Sequence, residues 1–252
     1  MMATETLKTP AVLLITHGSR EYYANRQFHY LARRYARRHP SWVIRSSFLE
    51  NGNPSIDHEL NNLSTRSHEI DILPLFLFAA QHINKDIPEI LNEFQIQHPD
   101  VTLRLRKELG PDPVLAQLSL ERMKRYCRHS LSTIVLMLGR GARDPKALED
   151  FHIQVKQFSH LQQFQKVLPC FFEAAEPSLE MALQAAGSFN PKRIVILPYL
   201  LFKGSWQKKV SHITEEFRKK NSIIEVRKAP PLGFHPILME LLDQRLNSIN
   251  LG

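Results

Sequence analysis

Two histidines and a carboxylate hold matching positions in this chain of 252 residues. His17 closes the apolar run Ala11-Val-Leu-Leu-Ile-Thr and opens the polar turn Gly18-Ser19-Arg20. Glu50 closes a second apolar run, and His82 follows a third. Two imidazoles and a carboxylate suit a borderline divalent ion such as Fe²⁺, Co²⁺, Ni²⁺ or Zn²⁺. The same groups can move protons near neutral pH. A lone histidine at such a place often only bonds a loop, and a lone glutamate can cap a helix. Their shared placement is what favours chemistry. The other ten histidines fall on expected helices or in loops, where a surface or structural role is the simpler reading.

These residues need elements that bring them to one edge. Runs rich in β-branched residues predict strands over Ala11–Gly18, Trp42–Leu49, Glu69–Phe78 and Val101–Leu109 in the first half. In the second half they predict Ser132–Gly139, Lys166–Glu173, Arg193–Phe202 and Ile223–Leu232. Near-continuous apolar runs of this kind fit strands buried on both faces of a parallel sheet. Between them, helical patterns cover Tyr22–Arg38, Pro54–Ser64, Asp86–Phe94 and Pro113–Arg128. The second half repeats the alternation with Pro145–Gln162, Pro177–Ala186, Gln207–Lys219 and Pro236–Ile249. Alternating strands and helices predict an α/β fold. In such sheets ligands bind beyond the carboxyl ends of the strands, where His17, Glu50 and His82 would face one crevice.

The chain also repeats itself at an offset of 123 residues. Thr133-Ile-Val-Leu-Met-Leu-Gly139-Arg140-Gly141 restates the first strand and its turn. Phe172-Glu173 with Pro177-Ser178 restates Leu49-Glu50 with Pro54-Ser55, and Leu232-Gly233 with Pro236 restates Leu109-Gly110 with Pro113. With one inserted residue, Leu197-Pro198-Tyr199-Leu200 restates Leu73-Pro74-Leu75-Phe76. Only the first copy keeps the histidines; the second has Arg140 and Trp206 in their places. The expectation is two similar domains, residues 1–129 and 130–252, each a four-stranded, mainly parallel sheet flanked by helices, with a cleft between them. Duplicated scaffold with unduplicated chemistry suggests one active site.

Several classes are disfavoured. No uninterrupted apolar run approaches the ~20 residues of a membrane span, and no signal peptide is visible at the N-terminus. Cys127 and Cys170 form no CxxC pair, which fits a reducing cytosol. Gly139-Arg140-Gly141-Ala142-Arg143 is not a phosphate loop, and His17-Gly-Ser-Arg is not a nucleophile elbow. Ser19 is therefore a poor nucleophile candidate. The formal charge of +8 invites nucleic acid or an acidic small molecule. Part of it lies in Arg33-Arg34 and Arg37-Arg38, read as a solvated helix face, and nucleic-acid binding leaves the strand-end histidines unexplained.

The ordered set Thr16-His17-Gly18-Ser19-Arg20, Glu50 with Pro54-Ser55, and Leu73-Pro74-Leu75-Phe76-Leu77 leading to His82 and Asp86-Ile87-Pro88 resembles the sirohydrochlorin chelatases. These are class II tetrapyrrole chelatases, here in the long form with two fused halves, and the resemblance spans essentially the whole chain. It implies ATP-independent insertion of Co²⁺ or Fe²⁺, with Ni²⁺ also compatible, into sirohydrochlorin for cobalamin or siroheme synthesis. It further implies that His17 and His82 bind metal and act with Glu50 in catalysis. Ala80 stands where a glycine is expected. Sirohydrochlorin is rich in carboxylates, which makes Arg20, Arg140, Arg143 and Lys203 candidate substrate contacts, with Lys85, Lys208 and Lys209 as further strand-end cations, while Trp206 could stack on or wall the macrocycle. Glu173 keeps the place of Glu50 and could assist proton transfer. The expected protein is a cytoplasmic monomer with an internal pseudo-dimer, free of tightly bound cofactor. A non-catalytic tetrapyrrole or metal carrier, or a chelatase for a different metal, is the alternative.

Overall fold

The structure is a computed structural model that describes residues 9–78, 82–126 and 130–248. Cys127 and Ala80 lie outside the described residues. Contacts divide the chain into two compact units, one of residues 1–109 with 242–252, the other of residues 110–241.

The first unit is built on β1 (Ala11–Thr16), β2 (Val43–Phe48), β3 (Glu69–Pro74) and β4 (Thr102–Leu105), all parallel, in the order β2-β1-β3-β4. Residues 11–15 of β1 are wholly buried, as a central strand covered on both faces requires. Ala11, Leu13 and Ile15 pack against Ile56, Leu60 and Leu63 of α2 (Ile56–Ser64) and Ile87, Leu91 and Phe94 of α3 (Ile87–Gln97). Helix α1 (Tyr22–Arg38) buries Phe28, Leu31, Ala32 and Tyr35 and exposes Arg33, Arg34 and Arg37 to solvent. Truncating a core residue such as Leu13 to alanine costs about 2–5 kcal/mol in sites of this kind.

The second unit repeats the plan. Strands β5 (Thr133–Gly139), β6 (Lys166–Phe171), β7 (Arg193–Pro198) and β8 (Glu225–Lys228) form a parallel sheet in the order β6-β5-β7-β8. Pro169 is tolerated in β6 because that strand is an edge, where a missing N–H breaks no ladder. Helices α6 (Leu179–Gly187) and α7 (Trp206–Lys220) pack on β5 and β7 through Leu179, Leu183, Val210, Ile213 and Phe217.

The compact units follow a different partition from the sequence repeat. Helix α4 (Pro113–Met123) ends the first repeat yet packs in the second unit against α5 (Pro145–Ser159). Buried Gln154 of α5 accepts from Asp112 N at 3.0 Å and donates to Asp112 O at 3.2 Å. Arg122 of α4 donates to Leu232 O, 2.7 Å from Nε. The C-terminal part of α8 (Pro236–Asn247) packs reciprocally in the first unit. Arg245, offset from Arg122 by the repeat length, donates to Glu108 O and Leu109 O at 2.7 Å each. Asp243 of the same segment accepts from Tyr35 at 2.8 Å, pairs with His39 at 2.8 Å and meets Arg38 at 2.9 Å. Burial, reinforced by Asp243, holds the Tyr35 phenol well above its ordinary pKa. The last helix of the first repeat thus lies in the second unit, and the C-terminal part of the last helix of the second repeat lies in the first.

Every strand is shorter than its apolar run. Leu75 and Leu201 are buried without belonging to a strand, so hydrophobicity continues past the ladder into loops that close the core. Helix α2 begins after Pro54, with Ser55 as N-cap accepting from His58 N. A π-type turn over His82–Asp86 precedes α3, so helical backbone starts four residues before Asp86. No helix among the described residues is long and apolar enough to cross a membrane.

Candidate metal centre

In the first unit the strand order reverses at β1, because β2 lies on one side of it and β3 on the other. Such a switch point opens a crevice beyond the carboxyl ends of the strands. His17 is the first residue after β1, and Glu50 lies two residues after β2. The ladder continues into both turns, with Leu49 N donating to Thr16 O and Glu50 N to His17 O, each at 2.9 Å.

Gly18 makes this approach possible. Its φ is +90°, a left-handed conformation that costs an L side chain, and a Cβ there would lie 1.8 Å from Glu50 O. With nothing between the two backbones, the side chains flanking the glycine meet: His17 Nδ1 lies 3.1 Å from Glu50 Oε1. Nδ1 itself is buried, while the His17 side chain is 28% and the Glu50 side chain 53% exposed. The contact is an ion-pair approach, and a hydrogen carried on Nδ1 beside that carboxylate would leave the lone pair on Nε2. A neutral imidazole nitrogen of this kind can hold a divalent ion or accept a proton.

His82 is the first residue of the π-type turn, and its side chain lies outside the described residues. The structure therefore brings His17 and Glu50 together and leaves the third member of the expected set undescribed. Among the described residues no group of three or more His, Cys, Asp or Glu side chains could hold a metal. Arg20 and Lys85 are exposed.

The second unit reproduces the frame with other side chains. Gly141 has φ +93°, and a Cβ on it would lie 1.9 Å from Glu173 O. Glu173 N donates to Arg140 O at 3.0 Å, and Arg140 Nε stands 3.6 Å from Glu173 Oε2. These two side chains are 64% and 52% exposed. An Arg–Glu pair thus occupies the place of the His–Glu pair. Arg143, Lys203 and Lys208 are exposed. Trp206 is half-buried: its indole N–H donates to Phe202 O at 3.2 Å, and its ring lies tilted against Phe172 on the unit's core. Lys209 Nζ donates to Phe172 O at 2.7 Å, tying α7 to the end of β6.

Other histidines have structural partners. His29 bridges Ser46 and Asn53 beside Phe48, and burial lowers its pKa. His98 stacks on Phe94, and His68 pairs with Asp100. Sequence reasoning passed over Asn25, in the first turns of α1. Its amide bonds to both Ser19 and the loop after Glu50. The available signal was a side-chain amide at 25 where the second copy has Leu148.

The fold and site define a duplicated parallel α/β protein that carries a histidine–carboxylate pair at the switch point of only one copy. A sequence model of the CbiX family matches residues 11–126 and again 134–249, and the chain belongs to that family. A sirohydrochlorin ferrochelatase of Priestia megaterium is 26% identical over 242 residues, covering 95% of this chain and 90% of its own. A sirohydrochlorin cobaltochelatase of the same organism is 24% identical over 241 residues, covering 93% of this chain and 78% of its own. SirB from Bacillus subtilis, solved with Fe³⁺, superposes with a TM-score of 0.83 at 24% identity over 94% of each chain.

Proposed function

We propose that this protein inserts Co²⁺ or Fe²⁺ into sirohydrochlorin without ATP, with His17, Glu50 and His82 as the chemical residues. The observation that carries the reading is the His17–Glu50 pair, 3.1 Å apart at the switch point of the first unit. Metalation exchanges two pyrrolic protons for one divalent ion. The metal is therefore a substrate, and its holder must release it. Few protein ligands serve this better than a closed four-ligand cage, which would trap the ion. His17 offers Nε2 to the incoming ion, with His82 as the second imidazole. As the macrocycle takes the metal, the freed imidazoles accept the displaced protons, and Glu50 orients His17 and relays charge.

Arg20 in the first unit, and Arg140, Arg143 and Lys203 in the second, are assigned to the carboxylates of the substrate. Trp206 is assigned a weaker part, because its N–H is engaged and its ring is packed on the core. Cys170, with a buried thiol whose pKa burial raises, fits a reducing cytosol. The enzyme is read as a cytoplasmic monomer with its pseudo-dimer built in.

The test is anaerobic metalation of sirohydrochlorin, followed by absorbance, with Co²⁺ and Fe²⁺ compared in wild type and His17→Ala. Acceleration by wild type and its loss in His17→Ala support the reading. Binding of sirohydrochlorin with no acceleration by either ion would make the protein a carrier instead.

A further inference from the structure

We infer that Asn25 is a positioning residue that holds the His17 and Glu50 turns at a fixed separation, so that the pair can hold and release metal. This rests on the chelatase reading. Asn25 lies in the first turns of α1 and spends its whole amide on the two turns. Ser19 N donates to Asn25 Oδ1 at 2.8 Å, Nδ2 donates to Ser19 O at 2.8 Å, and Nδ2 also donates to Asn51 O at 2.8 Å. Ser19 is two residues past His17, and Asn51 is one past Glu50. The backbone bond from Glu50 N to His17 O closes the junction on the near side, and the amide closes it on the far side.

The second copy shows what the amide is for. At the repeat offset from Asn25 stands Leu148, whose side chain has no donor or acceptor. The second turn nonetheless keeps the same left-handed glycine, the same close approach to Glu173 and the same backbone bond. The amide is therefore not required to form the turn. What differs is the pair being held. Arg140 is long and exposed and meets Glu173 at 3.6 Å, so slack between its turns is absorbed by side-chain torsions. His17 is a short ring with two torsions and meets Glu50 at 3.1 Å with Nδ1 buried, so slack is transmitted to the imidazole. The copy with the rigid ligand is the copy with the amide staple.

The experiment replaces Asn25 in the full chain with the residue the second copy uses, Asn25→Leu. Leucine already stands at the matching position of α5 in the second copy, so the variant is expected to fold with the wild-type circular dichroism spectrum. Loss of a group that orients a ligand-bearing residue typically lowers metal affinity or activity by about 10- to 100-fold. The expectation is a fall of that size in kcat, with a smaller rise in KM for sirohydrochlorin through Arg20, which follows the released Ser19. Titration with Co²⁺ alone, read by its visible absorption, should show weakened binding. Asn25→Asp keeps the acceptor for Ser19 N but points a carboxylate at two carbonyl oxygens, and should fall at least as far. Wild-type kcat and wild-type Co²⁺ binding in either folded variant would overturn the inference. If wild type fails to metalate sirohydrochlorin, the chelatase reading fails; the Co²⁺ titrations still decide whether Asn25 positions the pair.

Discussion

Adding a single methyl at Gly18 tests the site's geometry and the division of labour between the copies together. In Gly18→Ala the new Cβ would start 1.8 Å from Glu50 O, and real Cβ atoms essentially never approach nearer than 3.0 Å. The two turns must therefore part by about 1.2 Å, the difference of those distances. Carried to the side chains, that parting takes His17 and Glu50 from 3.1 Å to about 4.3 Å, beyond the reach of a close ion pair. The φ of +90° adds about 1–2 kcal/mol of backbone strain for any L side chain. With the broken strand-end contacts, a loss near 3 kcal/mol is expected, or roughly 6–12 °C in Tm for a chain of this size. Gly141→Ala is a matched control, since its Cβ would start 1.9 Å from Glu173 O at a φ of +93°. It should cost the same stability. The two variants should then separate in metalation kinetics measured below both melting temperatures. Gly18→Ala should lose kcat by at least about tenfold, whereas Gly141→Ala, which displaces Arg140, should mainly raise KM. Equal kcat losses in the two variants would refute the assignment of metal chemistry to the first copy alone. Unchanged Tm in both would refute the packing argument.

Further predictions concern the frame. Asp243→Ala removes the acceptor shared by Tyr35, His39 and Arg38, and the buried Tyr35 hydroxyl loses its partner. A cost of about 2 kcal/mol is expected, or roughly 4–8 °C in Tm by differential scanning calorimetry, and Tyr35→Phe in the same background should recover part of it. Arg245→Ala, which strips two carbonyl contacts from the exchanged helix of the first unit, should raise hydrogen exchange over residues 242–248 before it affects β5. Burial depresses the pKa of His29 and His235 below the ordinary 6.5. Both therefore protonate less readily in the folded chain than in the unfolded one. Their contribution is present above pH 6.5 and is lost as pH falls through the folded-state values. The urea midpoint should therefore drop between pH 7.5 and 5.5, with a shallower slope in His29→Gln; a slope unchanged by that substitution would remove His29 from the account.

The alternation of strand and helix was legible because each strand is a short, nearly unbroken apolar run and each helix breaks that run with a different period. Strand ends were less legible. Leu75 and Leu201 are buried by tertiary packing after the ladder has ended, and hydrophobicity alone does not separate a buried strand residue from a buried loop residue. The pairing of His17 with Glu50 could be expected from their places at neighbouring strand ends. The role of Asn25 could not, because an amide in the first turns of a helix reads as any exposed polar residue until the turn it bonds to is placed.

The exchange of the last helices was hidden for a further reason. Leu109-Gly110 before α4 and Leu232-Gly233 before α8 are near-identical joins, and either helix could return to its own sheet or cross to the other without changing its sequence pattern. What decides is a set of contacts distant in sequence: Gln154 with Asp112, Arg122 with Leu232, and Asp243 and Arg245 with Tyr35, His39 and Leu109. Several of these residues belong to one copy only. Asp243 corresponds to Leu120, and Gln154 to Leu31. The duplicated frame is thus held by one anchor kept in both copies, Arg122 on Leu232 O and Arg245 on Leu109 O, and by others present in one copy only. Asp243 and Gln154 fix the two helices through contacts the other copy cannot make, just as His17 and Arg140 give the two copies different chemistry at the same turn.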